Sequence, residues 1–109
     1  MNNIYKQIVE DEKLNDKFRV LTKSKTLDPA KNIIENIANL MTDKDGNFIQ
    51  QFQSDGFDAR LWEIYLFVLF KEIGFKVIDG YDRPDFHLLK SETEIFVEAS
   101  LSAEKKDDI

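Results

Sequence analysis

Apolar positions along this chain follow a helical rhythm first and a strand rhythm later. Ile4, Ile8, Val9, Leu14, Phe18 and Leu21 fall roughly at helical spacing and predict a charged helix from Ile4 to about Leu21. Thr22 to Leu27 reads as a polar connector. Asp28-Pro29 is a helix start, with Asp as N-cap and Pro at the first helical position. Ile33, Ile34, Ile37, Leu40 and Met41 then form one apolar stripe. Thr42 to Asn47 reads as a turn, and Phe48, Phe52 and Phe57 predict a short packed segment. Asp58 is placed to cap the next helix, which runs to about Ile73 and stops at Gly74. That helix is apolar nearly all round, which predicts a central element covered on several sides. Three strands follow: Phe75 to Ile78, Pro84 to Leu89, and Glu94 to Leu101. The turns between them, Asp79 to Arg83 and Lys90 to Thr93, are short enough for an antiparallel meander.

The expected fold class is therefore α/β in the broad sense, or α+β. A small, mainly antiparallel sheet packs on a central helix, with a helical N-terminal extension. Residues 1–54 form the extension and residues 55–109 an αβββ core. The closing segment, Ala103 to Ile109, is charged and reads as a frayed end or the start of a helix.

Composition narrows the function classes. The chain has 109 residues, 42% of them hydrophobic and 12% aromatic, enough to build one core. It has no cysteine, which excludes disulfides, zinc–thiolate sites and thiol catalysis. Met1 to Arg19 is dense in charge rather than a secretory apolar run, and the longest apolar stretch is far shorter than a membrane span. A cytoplasmic protein without a membrane partner is the expectation. The net charge of −6 is uneven, with 8 basic against 9 acidic side chains in residues 1–56 but 7 against 12 in residues 57–109. This balance counts against tight nucleic-acid binding by these residues alone, because phosphate attraction needs clustered Lys and Arg.

The candidate chemistry lies in that acidic half. Glu63 is the only charged residue among the ten from Leu61 to Phe70. A carboxylate on so apolar a helix needs a partner or a task, since burying it alone costs several kcal/mol. Downstream stand Pro84-Asp85-Phe86 and Ile95-Phe96-Val97-Glu98-Ala99-Ser100, with Asp85 and Glu98 on strands joined by a hairpin. Three converging acids would suit a hard cation such as Mg²⁺. Asp43, Asp45 and Asn47 superficially resemble a calcium loop. Ser54 stands where a bidentate Glu should close it, and Phe48 where its turn Gly belongs, so a plain surface turn is expected.

Phe57-Asp58-Ala59-Arg60-Leu61-Trp62-Glu63-Ile64-Tyr65-Leu66, then Pro84-Asp85-Phe86, then Val97-Glu98-Ala99 together resemble the PD-(D/E)XK nuclease superfamily, the restriction-endonuclease-like fold. The resemblance covers roughly residues 57–101. It implies a Mg²⁺-dependent nuclease, with Mn²⁺ as a substitute, that hydrolyses nucleic-acid phosphodiesters, DNA as partner. It also implies Glu63, Asp85 and Glu98 as metal ligands together with the main-chain carbonyl of Ala99. The family places a Lys two residues after the third-strand acid, and here Ser100 occupies that position near the attacking water. Ser100 can hydrogen-bond a water but brings no positive charge. Lys71 is a nominal replacement, about 12 Å along the helix from Glu63. The alternative is a catalytically degenerate module that keeps the fold for binding nucleic acid or protein. The family's fold continues with a further helix and strand, so the core is expected to be truncated here. A longer protein or a partner chain would complete it.

Each residue also has a plainer reading. Glu63 can bond Arg60 at i−3, Asp85 can be a strand-entry residue, and Glu98 can face solvent by strand alternation. Arg60 reads as a surface helix charge, Trp62, Tyr65, Phe67 and Phe70 as core, and His87 as a half-exposed strand residue.

Overall fold

The computed structural model describes residues 1–43, 45–78 and 86–100. The coarse expectation holds: a helical first half leads into one long helix and a three-stranded antiparallel sheet. Helix α1 spans Asp16–Lys23, α2 Asp28–Ala38, α3 Phe48–Gln53 and α4 Phe57–Glu72. Strands β1 (Lys76–Ile78), β2 (Phe86–Lys90) and β3 (Thr93–Val97) follow in the spatial order β1-β2-β3.

The first helix is much shorter than its apolar spacing predicts. The α-helix begins only at Asp16, where the Asn15 side chain caps it by accepting from the Lys17 amide at 2.8 Å. Upstream, apart from a single 3-10 turn at Asp11–Lys13 and an isolated bond from the Lys6 amide to the Asn3 carbonyl, the backbone is tied by a side chain. The fully buried Gln53 donates from Nε2 to the carbonyls of Ile4 (3.0 Å) and Lys6 (2.7 Å), and its Oε1 accepts from the Ile8 amide at 2.9 Å. The Gln53 carbonyl accepts from the Asn15 amide at 2.8 Å. One side chain thus stands in for a missing helical ladder and leaves none of these buried polar atoms unanswered.

The helices meet around Phe52, whose ring lies 5.1 Å from Phe57, 5.7 Å from Phe18, 6.2 Å from Tyr5 and 6.3 Å from Phe48. Tyr5 donates to the Lys31 carbonyl at 2.8 Å, with the Lys31 ammonium 5.1 Å from its ring centroid. On α2 the apolar stripe is narrower than predicted. Ile34 and Ile37 pack on the core and Met41 is buried, but Ile33 and Leu40 are exposed and the small Ala38 is fully buried.

The turn before α3 is tied by its own carboxylates. Asp43 Oδ1 accepts from the Gly46 amide (3.1 Å) and the Phe48 amide (3.3 Å), and Asp45 Oδ1 from the Asn47 amide (3.0 Å). These are Asx-type bonds, the surface-turn use of such residues.

Helix α4 differs from expectation at its start. Gly56, not Asp58, occupies the cap, and Asp58 pairs with Lys17 at 2.9 Å instead. A side chain at Gly56 would collide, since a Cβ there would sit 2.8 Å from Cβ of Gln51. The end matches expectation. Gly74 takes φ +93°, the Phe75 amide donates to the Phe70 carbonyl (2.9 Å), and the Gly74 amide donates to that of Lys71 (3.1 Å). This is a Schellman motif, closed by the Phe70–Phe75 edge contact at 6.4 Å. The helix is not covered all round. Tyr65, expected in the core, is 55% exposed, and Leu69 and Ile73 continue its stripe in water.

In the sheet, Val77 pairs with Leu88, and Phe86, Leu88 and Lys90 pair with Val97, Ile95 and Thr93. Phe86 and Leu88 are buried, and the Phe86 ring meets Phe70 of α4 edge-on at 5.3 Å. β3 ends at Val97, so Glu98, Ala99 and Ser100 lie past the strand rather than within it, and Leu101 lies outside the described residues. So do the turn from Asp79 to Arg83, the start of the second predicted strand at Pro84-Asp85, and the closing segment from Ala103 to Ile109. No helix among the described residues is long and apolar enough to cross a membrane.

Candidate functional site

Glu63 shares a face of α4 with Phe67 and Phe70, at i+4 and i+7, and Phe70 is the residue that meets β2. The acid therefore stands on the sheet side of the helix. Lys90, at the far end of β2, donates to the Ile73 carbonyl at 3.1 Å and so pins that end of the strand to the C-terminus of α4. The other end of β2 packs on α4 through Phe86, whose ring meets Phe70, seven helical steps and about 10 Å along the axis from Glu63. Phe86, at this end of β2, is the register partner of Val97. That register joins the second and third motifs through Phe86 and Val97.

Of the candidate ligands, Glu98 follows Val97 directly and is exposed, Ala99 is half-buried against the core, and Ser100 is exposed. Asp85 lies outside the described residues. Among the described residues, no three His, Cys, Asp or Glu side chains gather closely enough to hold a metal ion. The donor types, two carboxylates and a main-chain carbonyl, suit Mg²⁺. Glu63 nevertheless already has a cationic partner.

That partner is Arg60, which is no surface charge. Its side chain is 15% exposed and that of Glu63 13%, and Arg60 Nη1 donates to Glu63 Oε2 at 2.9 Å. The rest of the fork is also engaged. Nε and Nη2 both donate to Gln51 Oε1, at 2.8 and 2.6 Å, Nη2 lies 3.7 Å from Asp45 Oδ2, and the guanidinium lies over the Phe48 ring at 5.1 Å. Three elements thus hold one guanidinium: α3, the turn before it, and α4. The plainer reading of Glu63 as the i+3 partner of Arg60 describes the contact observed. Lys71, the nominal replacement for the family's Lys, lays its ammonium over the Phe67 ring, 5.1 Å from the centroid.

The opposite face of the sheet holds a pair that the sequence did not single out. His87, expected to be half-exposed, is only 4% exposed. Its Nε2 bonds Glu94 Oε1, and its ring stacks on Phe96 at 4.5 Å and 11°. The signal was available in the spacing: seven residues around a two-residue turn put His87 and Glu94 on one face of a hairpin. Strand alternation places this pair away from α4, so it is no part of the Glu63 side.

Comparison with family models, curated proteins and solved structures finds no match for this chain.

Proposed function

We propose that the chain carries a restriction-endonuclease-like core of the PD-(D/E)XK type, which hydrolyses DNA phosphodiesters with Mg²⁺. Glu63, Asp85, Glu98 and the Ala99 carbonyl are the ligands in this reading, and Ser100 lies beside the attacking water. A bound divalent ion would neutralise charge on the phosphodiester and lower the pKa of a water. The protein's part is to hold hard oxygen donors where the phosphate must sit.

One observation carries the reading: the Phe86–Val97 register pair joins two of the three sequence motifs on neighbouring strands. Hydrolysis then forms a bond from the water oxygen to phosphorus and breaks the bond to the sugar oxygen, which leaves with a proton. The test has two parts. Mn²⁺ raises the melting temperature of the wild type but not of Glu98→Ala, and plasmid nicking disappears in Asp85→Ala. An equal Mn²⁺ response in wild type and Glu98→Ala would remove the site.

A second reading, a nuclease fold retained for binding alone, is favoured by two observations. Ser100 stands where the family has Lys, and a guanidinium bonds the helix acid. Ser100→Lys separates the readings: it raises cleavage in a competent site and leaves a degenerate one inert.

A further inference from the structure

Helix α2 has no cation of its own where one is wanted. The C-terminal end of a helix gathers partial negative charge and leaves carbonyls without intrahelical partners, so a positive group there is stabilising. The last turn of α2 carries no basic side chain, and Glu35 adds a negative one. The cation comes from the first residue instead. The α-ammonium of Met1 donates to the Ala38 carbonyl at 2.9 Å and to the Met41 carbonyl at 2.6 Å. The Ala38 carbonyl also accepts from the Met41 amide at 3.0 Å, so the ammonium closes the turn that ends the helix. Both of its bonds are partly buried, and Ala38 and Met41 belong to the core. From this anchor the chain runs back along α2. Ile4 is fully buried, and Tyr5 donates to the Lys31 carbonyl at 2.8 Å. Gln53 of α3 then holds the carbonyls of Ile4 and Lys6 and the Ile8 amide.

We propose that the Met1 α-amine is a modification-sensitive lock. As an ammonium it caps α2 and fastens residues 1–8 as a strap across the helical layer, and Nα-acylation opens it. The donor class is an acyl thioester. The amine nitrogen attacks the thioester carbonyl, a C–N bond forms, the C–S bond breaks, and the thiol leaves with the amine's proton. The product amide is uncharged and has one N–H for two carbonyls. One of the two partly buried bonds is therefore lost together with the charge. The folded strap also shields the nitrogen, so acylation needs a chain that is unfolded or locally open.

The experiment compares the full chain with a free Met1 amine, with an Nα-acetyl group and with a single Nα-methyl group. The methylated amine keeps its charge and two N–H donors, one for each carbonyl. Acetylation should lower the melting temperature by at least about 4 °C, while methylation leaves it within about 2 °C of the free chain. Acetylation should also speed hydrogen exchange of the Ile8 amide, at the far end of the strap. Equal melting temperatures for the free and acetylated chains would overturn the proposal. So would an equal loss in the methylated chain, because added bulk rather than lost charge and donors would then be the cause. Where the acetylated chain does not fold, the unmodified chain decides by its reactivity. Acetylation of the Met1 nitrogen by an N-hydroxysuccinimidyl ester, read by peptide mass, should be at least about ten-fold slower in buffer than in denaturing urea. Equal rates would show that the amine is not held.

Discussion

The helical layer around Phe52 and the sheet beyond α4 solve the problem of burial in different ways. Around Phe52, four aromatic rings close on a fifth, and the buried Gln53 amide has every donor and acceptor answered by backbone. On the sheet side, Phe86 and Leu88 are buried but Ile95 on the same face is exposed, and Tyr65, Leu69 and Ile73 on another face of α4 remain in water. Phe86 and Val97 of the strand motifs belong to this second region, whereas Phe57 of the helix motif packs in the first. The difference teaches that the aromatic packing is densest in the helical layer, away from the strand motifs.

The largest expected effect tests that contrast directly. Phe52→Ala removes the ring at the centre of the cluster and should cost about 3–5 kcal/mol in urea denaturation. Ile95→Ala in β3 should cost less than about 1.5 kcal/mol, because the side chain is already partly solvated. Equal costs would break the comparison. Next comes Gln53→Leu, which keeps much of the volume but strands the Ile8 amide and the carbonyls of Ile4 and Lys6. A loss of about 1–3 kcal/mol is expected, with faster hydrogen exchange at the Ile8 amide.

The smallest effect concerns Tyr5. Burial, with the negative charge of Glu35 adding to it, raises the Tyr5 phenol well above its ordinary pKa. Above about pH 10 the unfolded chain gives up this proton while the folded one keeps it, so stability falls as pH rises through that range. Tyr5→Phe should lose about 1 kcal/mol at neutral pH with its hydrogen bond to Lys31. Its alkaline decline, followed by denaturation between pH 9 and 11, should be shallower than that of the wild type. An identical decline would show that Tyr5 has no part in it.

Local signals made much of the fold legible. Gly74 marked the end of α4 because a left-handed residue was needed there, and the short turns marked an antiparallel sheet. What stayed hidden depended on distant partners. No spacing rule could reveal that Gln53 takes hydrogen bonds of residues 4, 6 and 8, so the apolar spacing predicts too long a first helix. Arg60 looked like a surface charge because its partners Gln51 and Asp45 come from elsewhere in the chain. In the candidate site, Glu63 and the two strand motifs were readable by residue type and order. Its Arg60 contact was readable by the i−3 spacing alone. The burial of His87 was not readable, because it requires the cross-strand register that stacks Phe96 on its ring.

Gly56 gives the packing of α3 a reach well beyond its own turn. Its bare Cα lets Gln51 settle close by, and Gln51 carries two of the hydrogen bonds that aim the Arg60 guanidinium at Glu63. One absent methyl group therefore sets how firmly an acid two helical turns away is gripped, and a residue with no chemistry of its own becomes the gauge for one that has it.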